Sequence, residues 1–430
     1  MLFNSVEFLI FFLVSTAIYY VIPHKFRLFF LLAASCVFYM SLIPYYILFV
    51  AVTALNDYSA GILIEKYKQK KKYFLLQSLI VNIGILFIFK YYNFFSGNIE
   101  NISKLIGWNY SLPLLEIILP IGLSFYIFKS IAYVVEVYNG RQKAEKKLSI
   151  YILYVLFYPE ILAGPIDRPQ NLLHQFYEKH DFNYNNVSNG LKLMALGIFK
   201  KIVIADRIAV SVNYIYGHLP EYSGMPLLIC AVFFSFQLYF DFSGYSDIAI
   251  GAGKVLGFNL PQNFNKPYLS QSITEFWRRW HISLSTWLRD YLYTPMAIAT
   301  RNWGTLSIVF SLIVTFVLAG LWHGAGWTFI IFGLLHGIAL VYEALTRKFR
   351  KKLSAKLPVK LYNLFCTILA FVYVTFAFIF FRSESFAQAV FFISRIFTNF
   401  KLQAGGYNLV IGQFEVLLTF LLISSVGFIG

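Results

Sequence analysis

TLSIVFSLIVTFVLAGLWHGAGWTFIIFGLLHGIALVYEAL, residues 305–345, is a nearly unbroken apolar run. One bilayer crossing needs roughly 20 residues, and this run is about twice that. It must therefore break, and the three glycines of GLWHGAGW (320–327) make a break cheap. Two apolar helices joined at membrane depth set the fold class as an all-α polytopic membrane protein. Composition agrees: 59% of residues are hydrophobic, with 47 Phe and 31 Tyr, and the mean hydropathy is +0.65. No soluble core hides that much apolar surface.

Further apolar runs lie at about 5–23, 28–43, 46–63, 73–92, 114–137, 226–257, 361–381 and 409–429. The formal net charge of +16 concentrates between runs, in loops 66–72, 141–147 and 347–356. Short basic loops mark the cytoplasmic side, so the charge reads as topology and not as a nucleic-acid surface. Basic loops also attract anionic membrane lipid. With the loop holding His24, Lys25 and Arg27 inside as well, the N-terminus falls outside. The first run carries Glu7 and lacks a basic leader and a cleavage site, which fits a retained span better than a signal peptide. Cys36, Cys230 and Cys366 sit in apolar runs without metal-site or disulfide spacing. We expect one multi-span domain over 1–430, without internal repeats.

Ionisable groups inside apolar runs are costly and point to function. QLYFDFSGYSDIAIGAG (237–253) carries Asp241 and Asp247, with Lys254 or an arginine of 276–295 as expected partner. Helix packing through serine and tyrosine is the competing reading. His323 stands in the glycine-rich break between Trp322 and Gly324. His336 lies in plain helix and reads as a structural histidine. Segments 157–169 and 197–207 mix proline, glycine and paired charges, as re-entrant or interfacial helices do.

FWRRWHISLSTWLRDYLYTP (276–295) is the most polar stretch in this setting. On a continuous helix, Thr274, Glu275, Arg278, His281, Ser285 and Arg289 share one stripe, opposite Phe276, Trp280, Trp287 and Tyr291. A membrane-interface helix accounts for the aromatics and arginines. A histidine between two arginines fits a groove for an anionic cofactor.

Together, FYPEILAGPIDRP (157–169), GIFKKIVIADR (197–207), QLYFDFSGYSDIAIG (237–251), the 276–295 stretch and GLWHGAGWTFIIFGLLHG (320–337) resemble the membrane-bound O-acyltransferase family. The likeness is to its bacterial branch with the alginate O-acetylation subunit, over about Phe3 to Tyr342, and the teichoic acid D-alanyl transferases are a related branch. The resemblance implies ten or more transmembrane helices around a central funnel, with a catalytic core at about 115–345. His323 would be catalytic, and His281, 42 residues earlier, would be its second polar residue. Asp241, Tyr239, Ser243, Trp277, Arg278, Ser285, Arg289 and Trp322 are expected along the substrate path. Arg278 and Arg289 either meet CoA phosphates or snorkel to the interface. No metal and no permanently bound cofactor is expected.

For this branch the donor would be cytoplasmic acetyl-CoA. The acceptor would be an extracytoplasmic polysaccharide, served by a periplasmic or extracellular acetylesterase-like partner. D-alanyl transfer to a wall polymer, relay of acetyl groups to a secreted transferase, and a transporter or flippase are the alternatives. Relatives in this branch usually run longer, so the chain is expected to be either a shorter member or one whose C-terminal helices are incomplete.

Overall fold

The computed structural model describes residues 1–398, except 42, 109, 111, 112, 119 and 121. The apolar run 409–429 lies outside the described residues. Every regular element among them is helical. Six helical stretches are long and apolar enough to cross a membrane: Pro44–Lys66, Lys68–Leu105, Met225–Val255, Thr305–His323, Trp327–Leu345 and Val359–Arg382. Shorter apolar helices, Val6–Val21 and Phe386–Phe397, accompany them.

The chain forms two compact units. The first contains α1 (Val6–Val21), α2 (His24–Met40), α3 (Ile47–Lys66), α4 (Lys71–Leu86), α5 (Tyr92–Leu105), α6 (Leu123–Tyr138), α7 (Leu148–Leu156) and α8 (Pro169–Leu172). It also holds most of α9 (Tyr184–Ile198). Here sequence reading missed an intramembrane carboxylate. Asp57 in α3 is fully buried, and its oxygens accept from Asn56 (2.8 Å), Ser78 (2.7 Å) and Asn82 (2.8 and 3.0 Å). A carboxylate removed from water needs such donors. Those of α4 lie 21 and 25 residues away, beyond any local pattern.

Residues 157–168 leave helical geometry after α7, so this segment is not the re-entrant or interfacial helix its composition suggests. It is almost wholly buried, and protein shields its irregular backbone. Within this segment Glu160 pairs with the buried Lys129 of α6 at 2.5 Å. Burial, against the pull of Lys129, pushes the Glu160 carboxyl up to about 7. Gly164 passes directly over Glu160, where a Cβ would collide with its backbone.

The second unit holds α10 (Asp206–Gly217), α11 (Met225–Val255) as far as Gly244, α12 (Ile273–Arg279), α13 (Ile282–Leu288), α14 (Thr294–Ala299), α15 (Thr305–His323), α16 (Trp327–Leu345), α17 (Arg347–Ser354), α18 (Val359–Arg382) and α19 (Phe386–Phe397). The predicted break is present: α15 stops at His323 and α16 starts at Trp327. The two helices then fold back against each other very closely. A Cβ on Gly320 would strike the Phe329 carbonyl, and one on Gly333 would strike that of Phe316. Facing glycines thus fix the crossing that carries His323.

Candidate active site

The 276–295 stretch is not the single amphipathic helix its pattern predicts. It is cut at Trp280–His281, and it ends in a π-helical turn at Arg289–Tyr293 before α14. His281 adopts φ 45°, ψ 54°, one of two non-glycine residues with positive φ among those described. The loop before it imposes the cut. The carbonyl of Asn263 accepts from the Ile282 N–H at 2.9 Å, and its side-chain oxygen accepts from the Ser283 N–H (3.1 Å) and hydroxyl (2.9 Å). Asn265 donates to the Arg279 carbonyl at 2.9 Å. These bonds take up backbone groups on both sides of the turn, so the helix cannot run through.

The side chains also depart from the expected stripe. Phe276, Trp280 and Trp287 are 2–4% exposed, so they pack inside the protein and not against headgroups. Arg278 and Arg289 lie in separate segments, both exposed, and do not flank His281 on one stripe. Arg289 pairs with Asp290 at 2.8 Å, and Ser285 donates to the Trp280 carbonyl at 3.1 Å.

The start of α12 is held from α16. Glu343 accepts from the N–H groups of Ile273 (2.6 Å) and Thr274 (2.9 Å) and from the Thr274 hydroxyl (2.6 Å). Ser272 caps the same helix through the Glu275 N–H at 3.0 Å, a bond its S-x-x-E spacing encodes. Trp277, expected on the substrate path, donates its indole N–H to His336 Nδ1 at 3.2 Å inside the core. His336 keeps its structural reading, with an indole as partner.

His281 is different. It is completely buried, and neither ring nitrogen has a hydrogen-bond partner among the described residues. Its ring meets Phe242 edge-on at 4.6 Å and Trp322 at 5.8 Å. Trp322 in turn lies 4.9 Å from the His323 ring, which also packs on Phe381 at 5.2 Å and Phe332 at 5.9 Å. Burial, and secondarily the nearby His323, holds His281 well below the usual imidazole range. A neutral ring offers one N–H donor and one acceptor. Leaving a buried polar group unmet costs about 1–3 kcal/mol, and a strained backbone costs about 1–3 kcal/mol more. Both penalties fall on one residue, whose ring shares Trp322 as a neighbour with that of His323.

Around this pair, Tyr239 packs at 5.6 Å from Tyr268 and 6.2 Å from Trp280. Ser243 is buried with its hydroxyl unpartnered among the described residues. Asp241 pairs at 2.5 Å with Lys201, and neither Lys254 nor an arginine of 276–295 is its partner. Lys201 also reaches Asp206 at 2.8 Å. Lys201 stands in a π-helical turn, Phe199–Ala205, whose register brings it to α11 from forty residues upstream. Burial opposes its charge, and the two carboxylates more than offset this, holding the ammonium above its usual range.

Fold and composition together define a multi-pass helical membrane protein. The chain belongs to the membrane-bound O-acyltransferase family, whose model matches residues 47–387. It is thus an O-acyltransferase. It is 41% identical over 353 residues to a probable alginate O-acetylase of Azotobacter vinelandii, covering 81% of this chain and 69% of that protein. It is 36% identical over 350 residues to a peptidoglycan O-acetyltransferase of Helicobacter pylori, covering 74% and 64%. A teichoic acid D-alanyltransferase of Bacillus subtilis is 29% identical over 283 residues, covering 62% and 69%.

Proposed function

We propose that the protein moves an acetyl group from cytoplasmic acetyl-CoA to hydroxyls of an extracytoplasmic polysaccharide, with His323 as general base. The relatives named for alginate and peptidoglycan acetylation support a polymer acceptor. The observation that carries the site assignment is His281, which is buried, strained and unbonded at both nitrogens beside His323.

In this reading the acceptor hydroxyl gives its proton to His323 as its oxygen attacks the thioester carbonyl. The C–O bond forms, the tetrahedral intermediate collapses, the C–S bond breaks, and the proton passes to the leaving thiolate. His323 closes the C-terminal turn of α15. The last carbonyls of a helix favour positive charge nearby, and the ring becomes positive during the step. His281, neutral, orients the hydroxyl or donates to the developing oxyanion. Asp241, Tyr239, Ser243 and Trp322 line the acceptor side, and the exposed Arg278 and Arg289 meet donor phosphates. Ten or more crossings around a funnel, basic loops in the cytoplasm of an inner-membrane protein, and an acetylesterase-like partner outside complete the proposal.

The test uses purified protein with labelled acetyl-CoA and a glycan acceptor. Label should reach the glycan with wild type and not with His323→Ala. Full transfer by His323→Ala would remove the base role, and label arriving only from a D-alanyl donor would replace acetyl transfer with D-alanylation.

A further inference from the structure

A second site lies in the first unit, independent of the histidine pair. The start of α2, the residues before α7 and the segment after α8 enclose a cavity of about 190 Å3. Its lining includes Arg27, which is only 9% exposed. Arginines are rarely buried without a carboxylate. No described carboxylate lies within ion-pair distance of Arg27; Asp181, which feels its charge, is exposed and paired to Lys179 at 2.8 Å. Three Arg27 donors go to main-chain carbonyls, those of Ile22 (3.2 Å), His180 (2.5 Å) and Tyr20 (3.2 Å). A guanidinium has five N–H groups, so two remain. The charge is cushioned by the Tyr19 and Tyr20 rings, at 4.9 and 5.7 Å, but it is not neutralised.

The rest of the lining matches an anion with an apolar portion. Lys25 and Lys147 are exposed and line the same cavity, against a single acid, Glu178, which faces His174 at 3.7 Å. Phe176 and Phe258 form an apolar wall. Pockets for whole drug-sized ligands run about 300–1,000 Å3. This one is smaller and partly open, with room for a phosphoryl group. Arg27 and Lys25 start α2, and Lys147 closes the basic 141–147 loop, so the donors come from two loops of the same charge character.

We propose that this cavity binds the phosphate of an anionic amphiphile, with Arg27, Lys25 and Lys147 as its cationic contacts. A phospholipid headgroup and the phosphates of a CoA-type donor share this chemistry, and the apolar wall of Phe176 and Phe258 beside the cations favours the lipid. The proposal does not depend on acyl transfer, and its readout is ligand retention.

Native mass spectrometry of the full chain in detergent, with added phosphatidylglycerol, phosphatidylcholine or coenzyme A, tests it. One phosphatidylglycerol should be retained in preference to phosphatidylcholine, weakened at least about tenfold in the Lys25→Glu/Lys147→Glu double variant. Displacement of that lipid by coenzyme A supports the same phosphate site with the donor as its source. Arg27→Gln should abolish retention. Because Arg27 also ties three carbonyls, the exposed lysine pair decides the matter if that variant does not fold. Equal retention of both lipids, or undiminished phosphatidylglycerol binding by the lysine double variant, overturns the proposal.

Discussion

Asp57 and His281 are both ionisable and both wholly inaccessible, yet the protein treats them oppositely. Asp57 is surrounded by donors on its own helix and on α4, and its backbone is ordinary helix. His281 has no donor or acceptor at either nitrogen among the described residues, and a left-handed backbone besides. Burial alone therefore does not mark function. What sets His281 apart is that unpartnered ring nitrogens and a left-handed backbone coincide on one residue.

The largest effect is expected at His323. His323→Ala should lower acetyl transfer by about 10²–10⁴-fold, the usual contribution of a positioned general base, without lowering the thermal midpoint. A variant that loses both would make His323 structural, like Asp57. The converse is Asp57→Ala, which strands the Ser78 and Asn82 donors. It should destabilise the fold by about 2–4 kcal/mol, read by thermal unfolding in detergent, while the folded fraction keeps its turnover. Lost turnover in a stably folded Asp57→Ala protein would erase the distinction.

A smaller effect is expected at Glu343, whose carboxylate fixes the start of α12. Glu343→Gln keeps one acceptor oxygen. It should cost about 1–2 kcal/mol and lower transfer less than His323→Ala does. Unchanged stability would show that α12 is held by its core aromatics alone.

The smallest effect is in pH. The His281 ring is held well below 6.5 in the folded state, so it stays neutral while the unfolded chain protonates. The unfolded state then binds more protons, and stability rises with pH through this window. Its contribution is full above about 6.5 and is lost as pH falls below it, by at most about 1.4 kcal/mol per pH unit. Glu160 acts oppositely, since its raised carboxyl keeps a proton that the unfolded chain releases. Its contribution weakens as pH rises from about 4.5 to about 7. Thermal midpoints of His281→Asn and Glu160→Gln against wild type across pH 5–8 should separate the two slopes.

Six long apolar helices and the break at His323 were readable in the sequence because both are local: apolar length for one, clustered glycine for the other. The runs at 5–23, 28–43 and 114–137 form helices of 16 or 17 residues, shorter than those six. The break at His281 was not readable. Trp280 and His281 carry no glycine or proline, so the helical pattern runs on, and the interruption comes from Asn263 nearly twenty residues upstream. The partner of Asp241 was missed for a related reason. Lys201 reaches it through a π-helical turn, a register change that a regular wheel does not contain. Asp57 stood in plain view in the apolar run 46–63, but the neutral donors that satisfy it are split between α3 and α4 and form no local pattern. In each case local periodicity was sound and a tertiary contact overrode it.

The decisive substitution is His281→Asn. Asparagine tolerates left-handed backbone, so the turn at the start of α13 should survive while the imidazole is removed. With labelled acetyl-CoA and a glycan acceptor, His281→Asn should lose at least about tenfold in transfer with an unchanged thermal midpoint near pH 7.5. Full transfer by a folded His281→Asn protein would contradict the account.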